Sequence, residues 1–134
     1  MPRALASPRC VWDAGAELGE GTLWSQREQA LYWVDILGRR LHRLVPASGA
    51  QDTWQFDEEI STVVEHASQP GLLITLRRGF AVFDPARPQE PARYLHQPEE
   101  PAGNRFNDGK CDPQGRFWGG TMDWDCKAPS GVLY

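Results

Sequence analysis

Residues 31–56, LYWVDILGRRLHRLVPASGAQDTWQF, show the pattern that decides the fold. The segment contains three apolar or alternating runs, Leu31–Ile36, Leu41–Val45 and Thr53–Phe56. Gly38 and the Ser48-Gly49 pair separate these runs, and both are residues that favour turns. Short alternating runs between turns are typical of β-strands, whereas helical periodicity is hard to find in the chain. The sequence therefore predicts an all-β protein.

The same pattern recurs along the chain. An introductory strand, a strong aromatic or aliphatic strand, a shorter strand and a polar-flanked fourth strand occur around residues 22–56 and again at residues 61–95. A third copy begins at residues 106–111 and has reached its third strand at Tyr134. The remaining predicted strands are Ser61–Val64, Leu72–Leu76, Phe80–Phe83, Tyr94–Leu95, Arg116–Met122 and Val132–Tyr134. Such self-similarity indicates a repeat architecture.

The period of the repeat identifies its unit. Tyr32, Leu73 and Phe117 occupy corresponding positions, with spacings of 41 and 44 residues. This is the period of four-stranded propeller blades, and propellers close with about four to eight of them. We predict blades at residues 11–57 and 58–97 and an incomplete blade at residues 104–134. About two and a half blades cannot close a ring, so the chain is expected to be part of a longer propeller.

Composition excludes several classes of protein. The 134 residues carry a net charge of −4 with a pI near 5.3, which argues against a nucleic-acid partner. No stretch approaches the roughly 18 apolar residues of a membrane span, and residues 1–10 do not have the pattern of a signal peptide. Cys10, Cys111 and Cys126 lack the spacing of a zinc site or a disulfide framework. We therefore expect a cytoplasmic protein with reduced thiols.

Most of the candidate functional side chains lie in residues 104–122, NRFNDGKCDPQGRFWGGTM. Arg105 and Asn107 occupy alternate positions and would share one face of an extended segment. Arginine offers a planar set of donors, and asparagine both donates and accepts, which suits a polyhydroxylated ligand. Asp108, Gly109 and Lys110 are instead interpreted as a turn, because Asn-Asp-Gly is strong turn chemistry.

Three motifs together identify a resemblance. GEGTLW at residues 19–24, YWVDI at residues 32–36 and the segment at 104–122 resemble the sugar-lactonase family that contains gluconolactonase, regucalcin (senescence marker protein) and luciferin-regenerating enzyme. The resemblance covers about residues 10–134. It implies a six-bladed β-propeller, of which this chain is the N-terminal half, and metal-dependent hydrolysis of sugar lactones. Residues 122–134, MDWDCKAPSGVLY, resemble bacterial aldonolactonases more than animal regucalcin.

The resemblance also assigns site residues. It implies that Glu20 is a metal ligand and that Arg105, Asn107 and Asp125 contact the substrate. The metal would be one divalent ion: Ca, Zn, Mg, Mn or Fe. The family's other ligands, an asparagine and an aspartate that serves as general base, are expected on later blades, so no catalytic residue is assigned within these residues.

Alternatives remain open from the residues alone. Glu20 followed by glycine is most often a solvated turn carboxylate, and the Arg77-Arg78 pair is most often solvated turn charge. The competing function is a non-catalytic propeller, either a Ca-binding regulatory protein or a ligand-binding module. We expect the 134-residue chain alone to be inactive, and the sequence leaves the oligomeric state open.

Overall fold

A computed structural model describes residues 6–134, and in this range the chain forms ten strands and no helix. Part of the segment on which the signal-peptide prediction rests, residues 1–5, lies outside the described residues. The strands are β1 (Gly19–Ser25), β2 (Ala30–Asp35), β3 (Arg40–Val45), β4 (Ala50–Gln55), β5 (Ile60–Glu65), β6 (Leu72–Leu76), β7 (Gly79–Phe83), β8 (Arg93–His96), β9 (Asn104–Cys111) and β10 (Phe117–Asp123). Within the described range no helix is long and apolar enough to cross a bilayer.

The strands form antiparallel sheets in chain order. The first sheet has the order β1-β2-β3-β4, the second β5-β6-β7-β8, and β9 pairs with β10 in the third. The predicted all-β fold with four-stranded antiparallel sheets is confirmed. The predicted strand Val132–Tyr134 forms an isolated bridge between Leu133 and Gly120, reinforced by backbone hydrogen bonds between Tyr134 and Gly119.

One prediction about the third sheet is wrong. Asp108, Gly109 and Lys110 form no turn, because β9 runs through all three, and Gly109 pairs with Gly119 of β10. A Cβ on Gly109 would lie 2.8 Å from the Trp118 carbonyl oxygen and 3.1 Å from a Thr62 methyl group. The glycine therefore permits close approach of β10 and β5, and the acidic residue before it is an exposed strand residue.

The first strands of the three sheets pack side by side and run in the same direction. Gly21 of β1 lies against the backbone of Ser61 in β5, and Thr62 of β5 lies against Gly109 of β9. Ser25, at the end of β1, donates a hydrogen bond to Glu65, at the end of β5. As a result β1, β5 and β9 all begin at one end of the molecule, here called the upper end.

The core fills the space between the sheets. Tyr32, Val34 and Leu41 of the first sheet pack with Ile60 and Ile74 of the second, and all five are fully buried. Alternating strand residues point these side chains to one face, which explains the period-two pattern of the sequence. A second contact joins the sheets at Phe80, whose ring lies 5.1 Å from that of Phe106 and 5.4 Å from that of Phe117.

Gly79 is expected to tolerate no side chain. A Cβ there would lie 2.1 Å from the carbonyl oxygen of His96, so Gly79→Ala must push β8 away from β7. We expect a loss of about 2–3 kcal/mol in unfolding free energy, read from the urea midpoint of the full-length protein. The control is Gly103→Ala, whose Cβ would meet nothing closer than 3.5 Å. Equal midpoints for the two variants would show that a side chain at Gly79 does not disturb the packing of β8 on β7.

Candidate functional site at the upper end of the inner strands

The upper end gathers the polar side chains that the sequence singled out. Glu20 lies near the start of β1, Glu59 directly precedes β5, and Arg105 is the second residue of β9. Burial lowers the pKa of Arg105, and the charges of Cys126, Glu20 and Glu59 partly offset that effect. The three sheets therefore bring the carboxylates of Glu20 and Glu59 into electrostatic range of the Arg105 guanidinium.

Arg105 is held firmly. It is 7% exposed, and its Nη1 donates to the Phe106 carbonyl oxygen and to Asn107 Oδ1, each at 3.0 Å. Its guanidinium also lies over the Trp124 ring, 5.5 Å from the centroid. No described group accepts a hydrogen bond from Nε or Nη2. These two donors are free to bind a ligand.

Asn107 presents its amide in a defined orientation. Because a guanidinium cannot accept a hydrogen bond, the amide atom that faces Arg105 must be the oxygen. The Nδ2 group then points away from Arg105 and stays available as a donor. The two residues are two apart on β9, as the alternation of a strand requires, and the structure brings them together.

Glu20 is an exposed carboxylate at an irregular point of β1. It pairs with Val34, and the register shifts between Glu20 and Leu23. Gly21 follows with φ +62°, and its backbone lies against Ser61. Glu20 forms no salt bridge with a described cation, so its oxygens are free for a ligand.

Asp125 is placed differently from the other predicted residues. It is exposed in the turn after β10, and its Oδ2 lies 3.9 Å from Lys127 Nζ. No hydrogen bond or ion pair joins it to Glu20, Arg105 or Asn107. Its neighbours Trp124 and Cys126 are the residues of this turn that interact with Arg105.

The described residues do not form a complete metal site by themselves. Among residues 6–134 no group of three or more His, Cys, Asp or Glu side chains could hold a metal ion. Glu20 fits the role of one ligand, since an unpaired exposed carboxylate suits a hard divalent cation. A complete site needs several more oxygen ligands, and this part of the chain does not supply them.

Three further residues of the upper end were not predicted to belong to the site, and one of them, Arg77, was predicted to be solvated turn charge. Glu59 is 4% exposed, and its Oε1 accepts from Arg39 Nε at 3.0 Å and Nη2 at 2.9 Å, while Oε2 is buried without a partner. Arg77 and Trp124 meet beside Arg105. The pair of acidic residues directly before β5 is the sequence feature that could have indicated Glu59. Nothing local in the sequence indicated that Arg77 and Trp124 would meet.

A cleft runs along the inner strands from Glu20, and neither Arg105 nor Asn107 lines it. It has a volume of about 570 Å³ and is lined by residues 20–23 of β1, 62–65 of β5 and 108–111 of β9. Each inner strand contributes one wall, so the cleft follows from the arrangement of the sheets. The cleft is large enough for a small-molecule ligand.

Comparison with known proteins gives a consistent result. The model of the SMP-30/Gluconolactonase/LRE-like region matches residues 18–134. A 6-deoxy-6-sulfogluconolactonase of Pseudomonas putida is 44% identical over 114 residues, which is 85% of this chain and 38% of that protein. Regucalcin of Gallus gallus is 37% identical over 113 residues, 84% of this chain and 37% of the relative.

A solved structure has the same fold. The crystal structure of a calcium-binding protein, regucalcin, from Agrobacterium tumefaciens superposes with a TM-score of 0.87 at 28% identity. The match covers 96% of this chain and 43% of that structure. The chain thus spans about two fifths of the length of the relatives it matches.

Proposed function

Because this chain belongs to the SMP-30/gluconolactonase/LRE-like family, we propose that the full-length protein hydrolyses sugar lactones to aldonic acids with a divalent metal ion. The observation that carries the proposal is the convergence of Arg105 and Asn107 with Glu20 at one end of the inner strands. The name of the Pseudomonas putida relative, a lactonase at 44% identity, supports the reaction class.

The residues of this chain would bind and orient the lactone. Arg105 Nε and Nη2 donate to sugar oxygens, and Asn107 Nδ2 donates to a neighbouring oxygen of the same ring. Asp125, on the exposed turn beside Trp124, would accept from a hydroxyl at the rim. In the reaction, water adds to the carbonyl carbon. The bond between that carbon and the ring oxygen then breaks, and the ring oxygen takes up a proton and becomes a hydroxyl group.

Glu20 would hold the metal together with oxygen ligands from outside residues 6–134. A bound divalent cation would polarise the ester carbonyl and lower the pKa of a bound water. We expect these 134 residues alone to be inactive, because they supply one ligand of the set and no general base. The cytoplasmic location and the absence of nucleic-acid and membrane partners stay predictions.

Glu20→Gln tests the metal site. The amide keeps the shape but loses the charge, so we expect the full-length variant to need about 100-fold more metal for half-maximal lactonase activity. The measurement is acid release from a panel of aldonolactones, titrated with Mg²⁺, Mn²⁺, Zn²⁺, Fe²⁺ or Ca²⁺ after chelation. Glu17→Gln, an exposed glutamate three residues earlier, is the matched control. An unchanged metal requirement in Glu20→Gln would remove Glu20 from the site.

A second candidate is a non-catalytic, calcium-binding propeller. It is favoured by the names of the regucalcin relative and of the superposed structure. The same assay decides between the two functions. Calcium binding without metal-dependent turnover of any lactone in the panel would favour the regulatory protein, and turnover would exclude a purely regulatory role.

A further inference from the structure

Two guanidinium groups from different sheets meet at one tryptophan ring. Arg77 lies in the turn between β6 and β7, and Trp124 follows β10. The Arg77 Cζ is 5.1 Å from the centroid of the Trp124 ring, and the Arg105 Cζ is 5.5 Å from it. Both distances are within the roughly 6 Å at which a guanidinium interacts with an aromatic face. Trp124 therefore links a second cation to the proposed substrate-binding residue.

This pair of cations is less fully neutralised than its neighbours, although the charges of Glu20 and Glu59 act on Arg105 from beyond salt-bridge distance. The neighbouring arginines of the upper end are neutralised, Arg39 by Glu59 at 2.9 Å and Arg78 by Glu58 at 3.4 Å. Neither Arg77 nor Arg105 forms a salt bridge with a described carboxylate. Two like charges held near one ring repel each other, and an anion bound beside them would relieve that repulsion.

The position of Arg77 is well defined. Its carbonyl oxygen accepts a hydrogen bond from Phe106 N at 3.2 Å, so the β6–β7 turn is tied to β9 directly beside Arg105. Trp124 N in turn donates to the Gly103 carbonyl oxygen at 2.8 Å, which holds the ring over the start of the same strand. The half-exposed indole, 37% accessible, therefore stays beside Arg105 at the upper end.

The chemistry of these groups selects a ligand class. A guanidinium binds a sulfonate, phosphate or carboxylate through two parallel hydrogen bonds, which a neutral hydroxyl cannot match. One arginine with Asn107 is enough to orient sugar hydroxyls. A second unpaired guanidinium beside them is superfluous for a neutral sugar and useful for a charged one.

We propose that Arg77, Arg105 and Trp124 form a subsite for an anionic substituent, so that the substrate is a sugar lactone with a sulfonate, phosphate or carboxylate group remote from its ester. This inference rests on the proposed lactonase function. It adds a specificity-determining residue, Arg77, to the residues named above.

The test compares two lactones with the same ring, one with a terminal hydroxymethyl group and one with a terminal sulfonate. The readout is the ratio of kcat/KM between them in the full-length protein. We expect Arg77→Gln to lower this ratio, sulfonated over neutral, by tenfold to a hundredfold, the effect of about one charged hydrogen bond. Arg77→Lys should restore part of the preference. Arg78→Gln, which removes the adjacent arginine paired with Glu58, should leave the ratio within about twofold of the wild-type value.

A ratio that Arg77→Gln leaves within twofold, or an equal loss on both lactones, would show that Arg77 only supports Trp124 and would overturn the subsite. Phosphate and carboxylate analogues of the same lactone identify the preferred anion.

If the wild-type protein hydrolyses neither lactone, the proposed function fails, and calorimetric binding of a terminally sulfonated hexose against unmodified hexose tests the subsite alone. At least tenfold tighter binding of the sulfonated sugar that Arg77→Gln abolishes supports the subsite, and equal binding rejects it.

Discussion

Arg105→Ala in the full-length protein is expected to lower kcat/KM for sugar lactones by about 10²–10³-fold, the largest functional effect of any substitution in this chain. Under the proposed lactonase function, this substitution removes a pre-positioned charged donor from the proposed substrate site. Arg105 is suited to this role because Phe106 O and Asn107 Oδ1 hold one edge of the guanidinium while Nε and Nη2 stay free.

Arg116→Ala is the matched control for this substitution. Arg116 also lies over a tryptophan, 5.6 Å from the Trp118 ring centroid, and also belongs to the β9–β10 hairpin. It lies at the opposite end of that hairpin, where it pairs with Asp112. Arg116→Ala should change kcat/KM less than about threefold. If both variants lose activity equally, the effect of Arg105→Ala is general destabilisation of the hairpin and the assignment is wrong.

Arg105→Lys separates charge from geometry. A lysine keeps the positive charge, but its single ammonium cannot bond Phe106 and Asn107 and present a planar edge to the sugar at the same time. We expect the lysine variant to keep most of the loss in kcat/KM that the alanine variant shows. Full activity of the lysine variant would mean that the site needs only a positive charge.

Asp35→Ala is expected to cause the largest loss of stability, about 2–4 kcal/mol in unfolding free energy. Asp35 is fully buried, and its carboxylate accepts backbone hydrogen bonds from Leu18 at 3.0 Å, Glu17 at 3.2 Å and Gly38 at 3.0 Å. These bonds fix the segment before β1 and the β2–β3 turn. Alanine leaves all three donors without their partner, which costs more than removing a contact at the surface.

Urea unfolding of the full-length protein measures this loss. Asp52→Ala is the control, because Asp52 sits on β4 in a partly exposed pair with Arg43, at 2.9 Å. Such a pair contributes at most about 1 kcal/mol. A midpoint for Asp35→Ala no lower than that of Asp52→Ala would show that the Asp35 hydrogen bonds are not important for stability.

The contribution of Asp35 should also depend on pH in a defined direction. Burial by itself would raise the pKa of Asp35, but the hydrogen bonds from Leu18, Gly38 and Glu17 together outweigh it and lower the pKa. A lowered folded-state pKa means that the stabilisation is fully present above the unfolded value of about 3.9 and is lost as the pH falls through the folded value. The stability gap between wild type and Asp35→Ala should be constant from pH 5 to 8 and narrow below pH 4.

The part of the site that could be predicted is the part encoded in short segments. Arg105 and Asn107 are two residues apart on one strand, so their contact follows from strand geometry once the strand is recognised. Asp125 was assigned by resemblance alone, and in the structure it lies on an exposed turn without a hydrogen bond or ion pair to those two residues. Glu59 belongs to a visible acidic pair before β5, but its role could not be recognised, because its ion pair with Arg39, 20 residues away in the β2–β3 turn, is a tertiary contact.

The sequence by itself determined the all-β class, the strand order and the repeat of about 40 residues, because apolar alternation and turn residues act over a few positions. Tertiary structure decided that the Asp108-Gly109 segment is a strand and not a turn, because its packing against β5 and β10 outweighs the local turn preference. It also decided that Arg77, Trp124 and Arg105 meet, since these residues come from three separate elements. The alignment of the three inner strands brings those elements to one end, and that alignment depends on contacts between sheets that no short segment encodes.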